Sequence, residues 1–315
     1  MRNLKTFCLG RFTVPLPRDS TVSIATSGIE ADFSFKRKIS RFDFDQLIEK
    51  RWLELQHKTH DIYGNPYASP STRSSPLDGA VIFTYEHLRV TLGSRKPEGD
   101  ELHETEGFLW RDGHFFYFEP VLNSETDIAA TMRNLQVREF DAMPTEAGLC
   151  AAGSFFPGPG AARNGEAVRF VFDIPGAPPL QFQFETTTLY SAEQIPGRTP
   201  GKANYAAFNN DEFRGQVLRD RRRTILGVAG DEYISAATEK LGNDYHTNIS
   251  ARWHFPGEVG SITRPTIDFS LGLSYDGDTE PARWAHFPEN DESGGSPEAH
   301  FMALWNAILE GARLR

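Results

Sequence analysis

The chain is poor in cysteine, with only Cys8 and Cys150 among 315 residues. That excludes a disulfide-dense scaffold, a four-cysteine zinc site and a C-x-x-C redox pair. Either the two cysteines form one bridge closing a very long loop, worth at most about 5 kcal/mol by loop entropy, or they are two separate buried thiols. Long apolar runs are also missing. Nothing approaches the roughly 20 residues of a membrane-spanning helix, and no secretory h-region is present. Positive charge is in deficit: 33 Lys and Arg stand against 43 Asp and Glu, a net charge of -10. This argues against nucleic acid as the main partner, because phosphate binding needs a basic face. It suits a partner that carries a basic patch.

Catalytic and cofactor signatures are equally scarce. There is no G-x-S-x-G elbow and no H-E-x-x-H. Gly197-Arg198-Thr199-Pro200-Gly201-Lys202-Ala203 superficially resembles a phosphate loop. It has three residues between its glycines rather than four, and Ala203 where a magnesium-binding hydroxyl belongs. His57, His60 and Asp61 suggest a metal pair, but basic or neutral side chains near a helix C-terminus explain them better. Asp276, Asp278 and Glu280 alternate like calcium ligands without the rest of a calcium loop. No catalytic residue, cofactor or metal is therefore expected.

What the chain has in plenty is phenylalanine, 24 residues, mostly alternating with polar neighbours as in half-buried strands. Strands are predicted at 9–16, 20–26, 31–39, 79–85, 87–94, 104–111 and 114–119, with an Asp112-Gly113 hairpin turn. Helical spacing places helices at 43–58, started by an Asp43/Gln46 capping box, and at 124–137, capped by Ser124. A Gly- and Pro-rich break over 138–164 marks a boundary near residue 145. Beyond it, 167–174 and 180–186 form a strand pair with Phe170 and Phe172 against Phe182 and Phe184. Further strands are predicted at 224–235, 247–256 and 264–274. The last helix is capped by Ser296, begins at Pro297 and carries a stripe of Phe301, Leu304, Trp305, Ile308 and Leu309. The expectation is an α+β protein of two domains, 1–144 and 145–315, each a mainly antiparallel sheet with helices packed on it.

Long polar segments at 59–78, 95–105 and 190–215 are candidate contact loops. Tyr63, Tyr67, Tyr190 and Tyr205, with Arg198, are candidate anchors for a protein partner; local loop packing is the plainer alternative. Asp100, Glu101, Glu104 and Glu106 form an acidic stretch, either a partner contact or a solvated loop. Arg219, Arg221, Arg222 and Arg223 form the one dense basic run, which either grips an anion or covers a sheet edge.

Three passages carry a family resemblance. Cys8-Leu9-Gly10-Arg11-Phe12, followed by a strand and Leu16-Pro17, resembles the opening of bacterial immunity proteins that neutralise class-four phospholipase effectors of the type VI secretion system. Met143-Pro144-Thr145-Glu146-Ala147-Gly148-Leu149-Cys150 is similar to that family's Pro-Thr-Glu-x-Gly-Phe-Cys passage, with Leu149 where Phe is usual. Ala303-Leu304-Trp305-Asn306-Ala307-Ile308-Leu309 resembles its Ala-Leu-Trp-Asp run. The resemblance implies two domains, no catalysis, a lipase effector as partner, and inhibition by clamping the effector's lid or cap. It also implies a periplasmic setting. An export signal is then expected upstream of Cys8, for which a strand starting this early leaves no room, so Met1 is expected not to be the natural start. Both cysteines lie in the family's motifs and that compartment oxidises thiols, which adds weight to a Cys8–Cys150 bridge. The readings weighed against it are a periplasmic carrier of a small apolar ligand and a hydrolase with a dispersed triad.

Overall fold

The computed structural model describes residues 3–29, 31–58, 70–90, 100–158, 165–192, 212–277 and 297–315. A hairpin opens the chain: β1 (Leu4–Leu9) and β2 (Phe12–Pro17) turn at Gly10, whose φ of +59° favours glycine. The single strand expected at 9–16 is thus two strands. Phe12, Val14 and Leu16 share one face of β2 and are all buried. Next come β3 (Thr21–Ile29) and β4 (Ala31–Lys38), then α1 (Arg41–Gln56). Ser40, not Asp43, caps α1: its hydroxyl accepts from the Asp43 amide at 3.1 Å. The helix therefore starts two residues earlier than expected.

The first half continues with β5 (Thr72–Ser74), β6 (Ala80–Val90), β7 (Asp100–Arg111), β8 (His114–Leu122) and α2 (Glu125–Asn134). The two strands expected at 79–85 and 87–94 are one, bulged near Glu86, where φ is +54°. Ser124 stands at the N-cap of α2, but its hydroxyl turns back to the Leu122 carbonyl. Short strands β9 (Gln136–Val137), β10 (Gly148–Ala151) and β11 (Ser154–Pro157) follow. The second half comprises β12 (Glu166–Ile174), β13 (Leu180–Thr187), β14 (Phe213–Ile225), β15 (Val228–Leu241), β16 (Asp244–Phe255), β17 (Thr266–Gly277), α3 (Pro297–Gly311) and β18 (Arg313–Leu314). Ser296, the expected cap of α3, lies outside the described residues.

Twelve of these strands make one antiparallel sheet, ordered β14-β15-β16-β17-β13-β12-β3-β4-β8-β7-β6-β5. Alternation decides which layer each residue meets. Along β6, Ala80 and Ile82 join the main core, while Val81 and Phe83 pack under α1 with Phe44 and Ile48. The main core fills the opposite face. There α2, α3, β1 and β2 cover Phe170, Phe172, Phe182, Phe184, Trp253 and Phe269. The expected α3 stripe, Phe301, Leu304, Trp305, Ile308 and Leu309, is buried throughout. Strands from both halves of the chain pair directly, β3 with β12, so the large sheet draws on both sides of the composition break, whose own strands β10 and β11 form a separate small sheet with β9.

Candidate functional site

The register gathers the four predicted contact residues that are described, Asp100, Glu101, Glu104 and Tyr190, at one end of the large sheet. Val90 pairs with Asp100, Glu104 with Leu122, Phe33 with Phe118, Glu166 with Ile29, and Ala167 with Thr187. The end of β6, the start of β7, the end of β8, the β3–β4 turn and the end of β13 therefore lie side by side. Asp100, Glu101 and Glu104 enter β7 there, and Tyr190 leaves β13 there. The end of α1 joins them through a Lys58–Glu86 ion pair. Tyr63, Tyr67, Arg198 and Tyr205 lie outside the described residues.

Local chemistry differs among the four that are described. Tyr190 is half exposed, and its hydroxyl sits over Gly165, where a Cβ would come within 2.6 Å of it. Glu101 takes His87 Nδ1 at 2.7 Å, and His87 Nε2 lies 3.1 Å from the Thr84 hydroxyl. The buried His87 ring stacks on His103 with centroids 5.0 Å apart. Glu104 stands opposite Tyr85, and Asp100 pairs by its backbone with Val90. Glu106, read as part of the acidic stretch, is buried instead and held by both forks of Arg51 at 2.6 and 3.1 Å. Burial, and then the Glu106 charge, push the Tyr117 hydroxyl up to about 12.

Between the β4 and β13 portions of this end lies an open groove of about 310 Å³. Asp32, Glu119 and Glu185 line it, against a single guanidinium, Arg169, so its field is negative. Asp32 reaches across Gly28, where a Cβ would collide with its carboxylate.

A group of bonds behind the sheet end locks the chain's start, middle and end together. Cys8 and Cys150 are bonded, with Sγ atoms 1.99 Å and Cα atoms 5.8 Å apart. Gly10 and Cys150 exchange both backbone hydrogen bonds at 2.8 Å. Arg315 donates to Cys8 Sγ at 3.1 Å and to the carbonyls of Pro144 and Glu146 at 2.8 Å each. Arg11 holds Glu166 with two bonds of 2.7 and 2.6 Å. Arg138 donates to the carbonyls of Phe140 and Ala142, and burial followed by repulsion from Arg315 pushes its guanidinium down to about 10.

The basic run is a structural cluster. Alternation along β14 turns Arg219, Arg221 and Arg223 to one side, onto Glu232, and Arg222 to the other, towards Asp231. Glu232 is fully buried, accepts from Arg221 at 2.6 Å, Arg223 at 2.8 Å and the Trp305 indole at 2.9 Å. Burial pushes its carboxyl up, but the bonds from Arg223, Arg221 and Trp305 outweigh that and hold it below the usual carboxylate range. Sequence reasoning missed Glu232; its one signal is an acid inside the apolar stretch 228–236.

Among the described residues no group of three or more His, Cys, Asp or Glu is arranged to hold a metal. Asp276 pairs with His246 at 2.6 Å; Asp278, Glu280, His60 and Asp61 lie outside the described residues, as does the 197–203 segment. Also among the described residues, no helix is long and apolar enough to cross a membrane.

Solved structures share this fold. The apo immunity protein TplEi of the type VI secretion system of Pseudomonas aeruginosa is 16% identical with a TM-score of 0.69, covering 99% of this chain and 97% of its own. The structure of a Tle4-Tli4 complex includes a chain 17% identical with a TM-score of 0.70, at 99% and 97% coverage. TplEi bound to an "L" peptide is 17% identical with a TM-score of 0.65, at 99% and 98%. No curated protein matches the chain. The sequence model of the Tle cognate immunity protein 4 C-terminal domain matches residues 142–315. Over that span, more than half its length, the chain belongs to the Tle cognate immunity protein 4 family.

Proposed function

We propose that this protein binds a lipase effector of the type VI secretion system and neutralises it stoichiometrically, by clamping the effector's lid or cap and denying lipid access to the active site. The family match over residues 142–315 carries this reading. The grouping of Asp100, Glu101, Glu104 and Tyr190 at one sheet end supports it, since a partner meeting that end meets a rigid scaffold. We propose Tyr63, Tyr67, Arg198 and Tyr205 as members of the same contact set. The division at residue 145, into 1–144 and 145–315, is proposed on the same footing, with the family match beginning at residue 142. The proposed setting is the periplasm, where such an effector meets membrane lipid.

Co-expression tests both parts. The lipase encoded in the adjacent gene is directed to the periplasm of a susceptible host, and this chain is supplied either with or without a fused export signal. Rescue by the exported form alone is expected. No rescue by either form contradicts neutralisation, and equal rescue by the unexported form contradicts the periplasmic setting.

A further inference from the structure

Among the described residues, the large sheet contains an unpaired edge in its interior. β3 pairs with β12 along its length, from Thr21 to Ile29, but on its other side it meets β4 only at Ser27, Gly28 and Ile29. Beyond Phe33, β4 turns away to run beside β8. The turn at Ala152-Gly153 sits where they part: the Ala152 amide donates to the Ser27 hydroxyl, and Gly153 lies against Phe35. No described strand pairs with Thr21–Thr26 on the open side. Thr21, Val22, Ser23, Ile24 and Thr26 are exposed, Val22 to 38% and Ile24 to 46%.

The contrast with the outer edges is informative. Proteins blunt exposed sheet edges with charge or brevity, because a free row of N–H and C=O groups invites another strand. At one margin β14 carries Arg214, Arg219, Arg221, Arg222 and Arg223. At the other, β5 is three residues long. The β3 edge has no such protection: Thr-Val-Ser-Ile-Ala-Thr is uncharged, lacks proline and is rich in β-branched residues. A bulge opposite Val171 and Phe172 leaves Ser23 unopposed, with the exposed Val22 and Ile24 on either side of it. Where the free edge ends, at Thr26, the acidic groove of Asp32, Glu119 and Glu185 begins.

We infer that Thr21–Thr26 of β3 is a docking edge at which an extended segment of the effector adds as a strand. That segment is uncharged and apolar where it runs beside Val22 and Ile24, and presents a Lys or Arg to the groove beyond Thr26. Backbone hydrogen bonds supply affinity in this mode, and the side-chain pockets and charge supply selectivity. The inference rests on the immunity reading above and names the surface through which it acts.

The test measures affinity of the intact chain for the lipase encoded in the adjacent gene, together with backbone hydrogen exchange of the free and bound chain. Val22→Lys and Ile24→Lys place charge on the edge. Leu241→Lys, at a somewhat more exposed apolar site on β15, five strands away in the sheet order, is the control. The edge variants are expected to weaken binding by about tenfold or more, with Leu241→Lys at wild-type affinity. Exchange at Thr21–Thr26 is expected to slow in the wild-type complex. Unchanged affinity in both edge variants, equal loss in Leu241→Lys, or exchange at Thr21–Thr26 as fast bound as free overturns the docking edge. A wild-type chain that forms no complex contradicts the immunity reading itself, and the edge falls with it.

Discussion

Glu232 shows what one residue contributes when every neighbour is arranged for it. An isolated carboxylate at that depth would be strongly destabilising; three arginines and an indole make it a hub linking β14, β15 and α3. Glu232→Gln keeps the shape but removes the buried charge that Arg219, Arg221 and Arg223 share. It is expected to cost about 3 kcal/mol at neutral pH, read by urea denaturation. Because the folded carboxyl lies below its ordinary value, its contribution is complete above that value and is lost as pH falls through the folded one. The gap between wild type and Glu232→Gln should therefore narrow below about pH 4. A constant gap from neutral to acid pH would refute the ionic account. The disulfide acts at the same scale. Its cysteines are 142 residues apart, so the loop it closes is long. Replacing both by serine is expected to cost about 4 kcal/mol, and a loss below about 1 kcal/mol in the denaturation midpoint comparison would show that Arg315, Arg138 and Arg11 hold the junction alone.

At the scale of elements, close approach and register decide the fold. α2 lies on β7 at Gly107, where a Cβ would stand 2.7 Å from both Ile128 Cγ2 and Met132 Cε. Gly107→Ala is expected to lower stability by about 1–3 kcal/mol through overpacking, while Gly113→Ala, in an open turn, acts only through its positive φ. Thermal melts of the two separate the mechanisms; equal loss would mean that packing at Gly107 contributes nothing special. Elements whose signal is local were legible in the sequence. The stripe on α3 and the Phe alternation of β12 and β13 needed only period and capping. β14, from Phe213 to Ile225, was hidden because its arginines mask the alternation, and the strand expected at 224–235 is β15, which starts at Val228 after a turn at Leu226-Gly227. The opening hairpin was read as one strand because Gly10 was not recognised as its turn. The polar stretches 59–78, 95–105 and 190–215 were legible, but where they are described they also hold strand: β5, the start of β7 and the start of β14. That Asp100, Glu101, Glu104 and Tyr190 share one sheet end was not legible, since it follows from the pairings of β3 with β12 and of β4 with β8, which join residues far apart in the chain. The acidic groove has the same origin, drawing Asp32, Glu119 and Glu185 together across five adjacent strands, a juxtaposition that no local pattern announces.

At the scale of the whole molecule, a twelve-stranded sheet makes a stiff platform, with α1 on one face and α2 and α3 on the other, and the Cys8–Cys150 bond ties together the two small sheets, of β1 and of β10, beside it. Asp100, Glu101, Glu104 and Tyr190, the described members of the proposed contact set, gather at one end, and among the described residues an unprotected strand edge leads into an acidic groove. A net charge of -10 also favours fast encounter with a partner carrying a basic patch. A platform that binds in this way needs no turnover of its own; it acts mole for mole. The most direct measurement is a titration of the lipase encoded in the adjacent gene with this protein, following phospholipid hydrolysis across molar ratios and the species on gel filtration. The account predicts activity lost near equimolar protein, together with a stable one-to-one complex. Full activity in excess protein, with the two eluting separately, would contradict it.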